Sequence, residues 1–259
     1  MSFQKMCIQI NTPDLWLSNY PRITEQDHKY TRGHAVIFGA PELTGATRLA
    51  SEAAARIGAG LVSVLCTKDT ADIYKASLPA HILVRNDLNW WDERITAQLY
   101  GSGGLATSIE IKNKPTVLDA DALGALPKNL NEHCILTPHE GEFSKTFPNI
   151  SGKNEERALI AAQDSGAIII LKGPQTIIAH PDGRLCRNEH ASASLATAGT
   201  GDVLAGLITG LLAQKMDPYA AACAAVWIHG DAAIKFGHGL VASDISEQIP
   251  RIISELRES

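Results

Sequence analysis

The chain has 259 residues, long enough to bury a sizeable core without disulfides or a structural metal. Hydrophobic residues make up 45% and charged residues 20%, which excludes a disordered chain. Lys and Arg number 23 against 28 Asp and Glu, and the net charge of −5 argues against a general nucleic-acid binder.

The opening MSFQKMCIQI lacks a basic stretch followed by a long apolar run, so no secretory signal is expected. Residues 1–27 carry little pattern and read as an N-terminal arm or helix. Residues 35–38 form a short apolar strand ending at Gly39. Residues 45–58 then read as an Ala-rich helix, with Leu49, Ala50, Ala53 and Ile57 on one face. Gly58 and Gly60 supply its stop. A strand at 61–66 and a helix at 69–76 follow. The runs 81–84, 115–118, 134–136 and 167–171 are short and almost wholly apolar, as expected of parallel strands buried on both faces. Residues 155–165 are the helix before the last of them. Residues 175–180 and 184–187, joined by Pro181-Asp182-Gly183, read as a hairpin. Helices at 201–215, 218–236 and 242–257 complete the chain.

This succession implies one α/β domain, a doubly wound sheet with helices on both faces and a ligand at the carboxyl ends of its strands. The apolar run 203–213 is well short of the roughly 18–20 residues of a membrane span, so no membrane is expected. The five cysteines are scattered without a C-x-x-C pair and read as small buried hydrophobes of a cytoplasmic protein.

Gly199-Thr200-Gly201-Asp202 leads straight into an apolar helix. Free backbone N–H groups at that first turn make an anion site, and the glycines let a phosphate come close. Asp202 reads equally as a favourable first-turn carboxylate and as the acceptor of a proton from a hydroxyl that attacks a phosphoryl group. The helix dipole is expected to keep it ionised and weakly basic. His139 and Glu142 in Thr137-Pro138-His139-Glu140-Gly141-Glu142 follow a buried strand. His139 could hydrogen-bond a substrate and Glu142 could orient a hydrated Mg²⁺, or the acids could simply cap the next helix. Lys172 ends another buried strand, as a cation for phosphate or a plain surface charge. Asp119 and Asp121 close a third and are weaker evidence. His229 reads as a satisfied core residue, and Trp90-Trp91 as packing or an oligomer contact. A P-loop, a G-x-G-x-x-G after the first strand and an H-E-x-x-H zinc motif are all absent.

The order and spacing of these stretches resemble the ribokinase-like superfamily, and within it the NAD(P)H-hydrate dehydratase family. The likeness runs from Gly33-His34-Ala35 through Leu43-Thr44-Gly45-Ala46, Gly58-Ala59-Gly60, Leu118-Asp119-Ala120-Asp121 and Thr137 to Glu142. It continues through Leu171-Lys172-Gly173 and Gly199 to Gly206, and ends at Ala242-Ser243-Asp244. The family's common Gly-Pro-Gly-Leu-Gly stands here as Gly101-Ser102-Gly103-Gly104-Leu105. The resemblance implies a ribokinase-like, mostly parallel sheet and the nucleotide-dependent dehydration of hydrated NADH or NADPH. It implies Asp202 as the catalytic base, with Ala46, Gly103, His139 and Asp202 on the hydrated cofactor. Lys172, Gly173, Pro174, Gln175, Thr176 and Gly201 would hold the adenine nucleotide, ADP or ATP, with Mg²⁺. It also implies a homotetramer, and an epimerase on a separate chain. A small-molecule kinase of the same fold and a non-catalytic nucleotide sensor are the alternatives. His139 stands where such kinases usually carry Asn, and Asp202 argues against a mere sensor.

Overall fold

A computed structural model describes residues 7–258. The first six residues of the opening stretch read for a secretory signal, and Ser259, lie outside the described residues. The chain alternates strand and helix as follows: β1 (Ile8–Ile10), β2 (His34–Phe38), α1 (Thr44–Arg56), β3 (Leu61–Leu65), α2 (Lys68–Ser77), β4 (Ile82–Arg85), β5 (Ile95–Tyr100) and β6 (Thr116–Leu118). Then come β7 (Cys134–Leu136), α3 (Glu140–Thr146), α4 (Asn154–Ser165), β8 (Ile168–Leu171), β9 (Thr176–Ala179), β10 (Leu185–Asn188), α5 (Thr200–Ala213), α6 (Pro218–Phe236) and α7 (Ala242–Glu258). These strands form one sheet in the order β1-β10-β9-β8-β7-β6-β5-β2-β3-β4. β9 runs antiparallel to both neighbours, and every other pairing outside that hairpin is parallel.

Alternation along the strands explains the unbroken apolar runs. Ala35, Ile37, Val117, Ile135, Ile168 and Ile170 enter the core beneath α1, α5, α6 and α7. Their neighbours Val36, Phe38, Leu118, Leu136, Ile169 and Leu171 enter a second core beneath α3 and α4. Both faces are covered, so no position on these strands needs to be polar.

Two features depart from the sequence reading. The stretch 7–27 contains no α-helix: β1 pairs parallel with β10, and two 3-10 turns (Pro13–Leu15 and Leu17–Asn19) follow. Trp16 is fully buried there against Tyr20 and Trp227 of α6. β5 lies inside the sheet between β6 and β2, although Thr96 and Gln98 give it no apolar run. Gln98 is buried, and its Nε2 donates to Glu110 O (2.8 Å) and Thr116 Oγ1 (3.0 Å), while its Oε1 is left without a partner among the described residues.

The direction of winding reverses between β5 and β2, and the loops after these two strands open the crevice expected to take a ligand. α1 and α5 cross this end of the sheet in backbone contact. A Cβ on Gly206 would lie 2.2 Å from Ala50 O, and one on Gly210 would lie 2.3 Å from Ile57 Cγ2. Ala50, Ala53 and Ala54 supply the matching small face of α1. Gly206→Ala gains about 1 kcal/mol of helix propensity. It must also push two backbones apart, at a cost of about 1–3 kcal/mol or more. A fall in melting temperature of several degrees is therefore expected; an unchanged or higher melting temperature would show that the helices tolerate separation.

Candidate active site

The site lies where β5, β6, β7 and β8 end against the first turn of α5. After β6, Asp119 is buried and accepts from Thr137 Oγ1 (2.7 Å), Ser102 Oγ (3.3 Å) and Lys172 Nζ (3.2 Å). Lys172, at the end of β8, is also 3.8 Å from Glu142 Oε2. A Cβ on Gly201 would lie 3.2 Å from Lys172 Nζ, so the ammonium stands at the first turn of α5. A cation is disfavoured at that end of a helix. Asp119 and Glu142 hold it there, and an arriving phosphoryl group would be welcomed by ammonium and helix end together.

No side chain caps α5; its N-cap is Gly199, with φ +90°. That left-handed turn is open to glycine at little cost. The free amides of the first turn border a cavity of about 720 Å³. Lys172, Gly173, Pro174, Thr176, His139 and Gly201 line it. Gln175, expected with the nucleotide group, is exposed and is not among the lining residues. Its side chain belongs to a loop tip whose neighbours form the wall.

Asp202 lies in the first turn of α5, half-buried. Burial pushes its carboxyl up to about 6, and the Asp119 carboxylate adds to the rise, while Lys172 and Ser102 oppose it. This corrects the expectation of a weakly basic aspartate: the cost of ionisation away from water, beside a like charge, outweighs the helix dipole. Asp202 is thus a far better proton acceptor than an exposed aspartate.

Ala46 and Gly103 meet across the crevice. Gly103 has φ +83°, and a Cβ there would lie 2.8 Å from Ala46 Cβ and 2.4 Å from Leu43 O. Thr47 ties the two segments, with its Oγ1 accepting from Ala40 N (2.9 Å) and donating to Ser102 O (3.3 Å). The Ser102 hydroxyl faces both carboxylates, so Ala46, Gly103, Asp202, Asp119 and Lys172 form one contiguous group.

His139 caps α3. Its Nδ1 accepts from Gly141 N (3.0 Å) and Glu142 N (3.2 Å), and Glu142 Oε2 accepts from His139 N (2.8 Å). With Nδ1 taken up as an acceptor, the ring proton rests on Nε2, 3.5 Å from Glu142 Oε1, and the ring lines the cavity. Capping and ligand contact are therefore compatible, because they use different ring nitrogens. Asp119 and Ser102 are the residues that sequence reasoning undervalued or missed. His229 is buried, bonds Thr200 O through Nε2 (2.9 Å) and lines the same cavity. Burial lowers its pKa to about 4, so the ring is neutral and braces the first turn of α5 without adding charge.

Among the described residues, no group of three or more His, Cys, Asp and Glu side chains is arranged to hold a metal ion. Glu142 already serves the α3 cap and faces Lys172, so these residues do not form a protein cage for Mg²⁺. They fit an ion that arrives on phosphate oxygens and keeps most of its water.

Known proteins are similar to this chain in sequence and fold. The ADP-dependent (S)-NAD(P)H-hydrate dehydratase of Neisseria meningitidis serogroup B is 36% identical over 87% of this chain and 85% of its own length. Bifunctional NAD(P)H-hydrate repair enzymes also match, and the chain spans about half their length. The crystal structure of the ADP/ATP-dependent NAD(P)H-hydrate dehydratase of Bacillus subtilis, co-crystallised with ATP and Mg²⁺, superposes with a TM-score of 0.83. That pair is 28% identical over 97% of this chain and 99% of the other. A ribokinase-like superfamily protein of Enterococcus faecalis, 23% identical over 99% of this chain and 98% of its own, has the same fold with a TM-score of 0.83. The sheet order, the uncapped helix end and the match of residues 34–254 to the NAD(P)H-hydrate dehydratase family model lead to one conclusion: this chain, ribokinase-like in fold, belongs to that family.

Proposed function

We propose that the protein restores NADH or NADPH from the S-epimer of its hydrate, using ADP or ATP as phosphoryl donor. The observation that carries this reading is the meeting of the Asp202 carboxyl, the Lys172 ammonium and the uncapped turn of α5 at one cleft. Hydroxide leaves poorly. Asp202 takes the proton of the ring hydroxyl as that oxygen attacks the terminal phosphorus, and the bond to the rest of the nucleotide breaks. Lys172 and the Gly201 amide stabilise the charge on the moving phosphoryl group. The ring nitrogen's lone pair then expels phosphate. Loss of a proton from the adjacent carbon restores the double bond, with AMP and phosphate as co-products when ADP is the donor.

Ala46, Gly103 and the Nε2–H of His139 hold the hydrated ring. Lys172, Gly173, Pro174, Thr176 and Gly201 hold the nucleotide, and Gln175 takes part through its backbone. Mg²⁺ would come with the phosphates, with Glu142 facing its water shell, and would neutralise phosphate charge. The same reading includes one catalytic domain over residues 1–259, a homotetramer in the cytoplasm and an epimerase on another chain. No helix among the described residues is long and apolar enough to cross a membrane.

The test is to mix the protein with hydrated NADH, Mg²⁺ and ADP or ATP, and to follow reduced nicotinamide and nucleotide products. NADH and AMP appearing in equal amounts with ADP supports the reading. Phosphorylation of an unrelated alcohol in its place would make the protein a kinase, and tight nucleotide binding without turnover a sensor. In the same assay kcat/KM should be level above the Asp202 pKa of about 6 and fall as the carboxyl protonates below it. The limit is about tenfold per pH unit, because the protonated acid cannot accept the hydroxyl proton. A profile level down to about pH 4, the ordinary range of an aspartate, would remove Asp202 from this role.

A further inference from the structure

A second cavity, of about 560 Å³, shares His139 with the nucleotide cavity. Asp121, Leu123, Leu126, Glu142 and Lys145 also line it. Leu123 is buried and Leu126 half-buried, so the floor is apolar. Its two outer charges have opposite sign. Neither Asp121 nor Lys145 makes an ion pair or side-chain hydrogen bond with any described residue, and they do not pair with each other. Glu142 is different, being committed to the α3 cap and to Lys172. Between them, Ala120 lines the wall with φ +46°, a left-handed conformation that a non-glycine residue adopts at a cost.

The chemistry of such a site is restrictive. A free ammonium takes a phosphate, and a free carboxylate takes hydroxyl donors. A lone anion would be repelled by Asp121 and a lone cation by Lys145, whereas a sugar phosphate carries both of the groups they want. The hydrated dinucleotide supplies such a group. His139, which the proposed function puts on the hydrated ring, lines this cavity as well as the larger one, so the cavity adjoins the place where the ring would sit.

We propose that this cavity seats the ribose–phosphate arm of the hydrated dinucleotide, with Lys145 on a phosphate and Asp121 on ribose hydroxyls. The assignment rests on the function proposed above and adds to it two specificity residues outside the reacting centre. They bind the substrate equally before and during reaction, so they act on KM rather than on kcat.

The test is steady-state kinetics on hydrated NADH for wild type, Lys145→Gln, Asp121→Ala and Lys128→Gln, the last removing an exposed lysine outside the cavity. Lys145→Gln is expected to raise KM for the hydrate about tenfold, as loss of a charge-assisted bond to phosphate does. Asp121→Ala should raise it about fivefold. In both, the KM for ADP should stay within about twofold of wild type, and Lys128→Gln should leave the hydrate KM unchanged. A hydrate KM that moves by less than about twofold in both cavity variants overturns the assignment. So does a KM for ADP that rises in step, or an equal effect from Lys128→Gln, which would reduce the result to bulk charge. A wild-type protein that returns no NADH from the hydrate would instead sink the functional reading, and this assignment with it.

Discussion

Replacing Asp202 with asparagine is expected to lower kcat by about 10²–10⁴, the usual contribution of a general base. The structure separates this loss from unfolding. Burial and the neighbouring Asp119 carboxylate already make ionised Asp202 costly, so a neutral amide of the same shape removes a strain and no favourable charge pair comparable to that of Lys172 with Asp119. The melting temperature should hold or rise. Nucleotide affinity should also hold or rise, because the carboxylate beside the anion site repels the phosphates it helps to transfer. Kinetics, a thermal melt and ADP titration together are decisive. A variant that turns over normally, or one that is slow only because it fails to bind ADP, would remove Asp202 as proton acceptor.

Lys172→Gln should cost about 10²–10³ in kcat/KM, the range seen when one donor to a developing oxyanion is removed. Two of its consequences are specific. The buried Asp119 carboxylate loses its cation, and breaking such a pair destabilises by about 3–5 kcal/mol when both groups are deeply buried, less here because Lys172 is partly exposed. The Asp202 carboxyl loses the charge that opposes its rise, so the acid limb of the pH profile should move up from about 6. A lysine serving only the fold would lower the melting temperature and leave that limb in place. A KM for ADP and a profile both matching wild type would take Lys172 out of the site.

Much of the scaffold was legible because covered parallel strands leave a plain trace. Residues 134–136 and 218–236 appear in the structure with the bounds read from the sequence, and the other segments read there shift by one or two residues at their ends, while β1 and the bounds of α3 were not read. β5 left no such trace, since its buried Gln98 and half-buried Thr96 are polar groups whose partners lie on other segments. The glycines before α5 pointed to an open first turn, and that turn is uncapped and borders a cavity. What the sequence concealed is whatever depends on distant residues meeting. Asp119 looked secondary until Lys172, Thr137 and Ser102 were seen around it. The basicity of Asp202 turned on burial, which no local pattern records. His139 as a helix cap was hidden because the usual cap signature is Ser, Thr, Asp or Asn followed three residues later by an acid, and here only the acid is in place.

Ala46 and Asp202 begin the two helices whose backbones touch at Gly206 and Gly210. With mainly glycine and alanine at this contact, the half of the crevice proposed to hold the hydrate opens only by unpacking the core. The other half is walled by the exposed residues Gly173 and Pro174 and by the loop 191–198. On the proposed reading, the nucleotide side can open by moving loops alone, whereas the side of Ala46 and Asp202 opens only by parting α1 from α5.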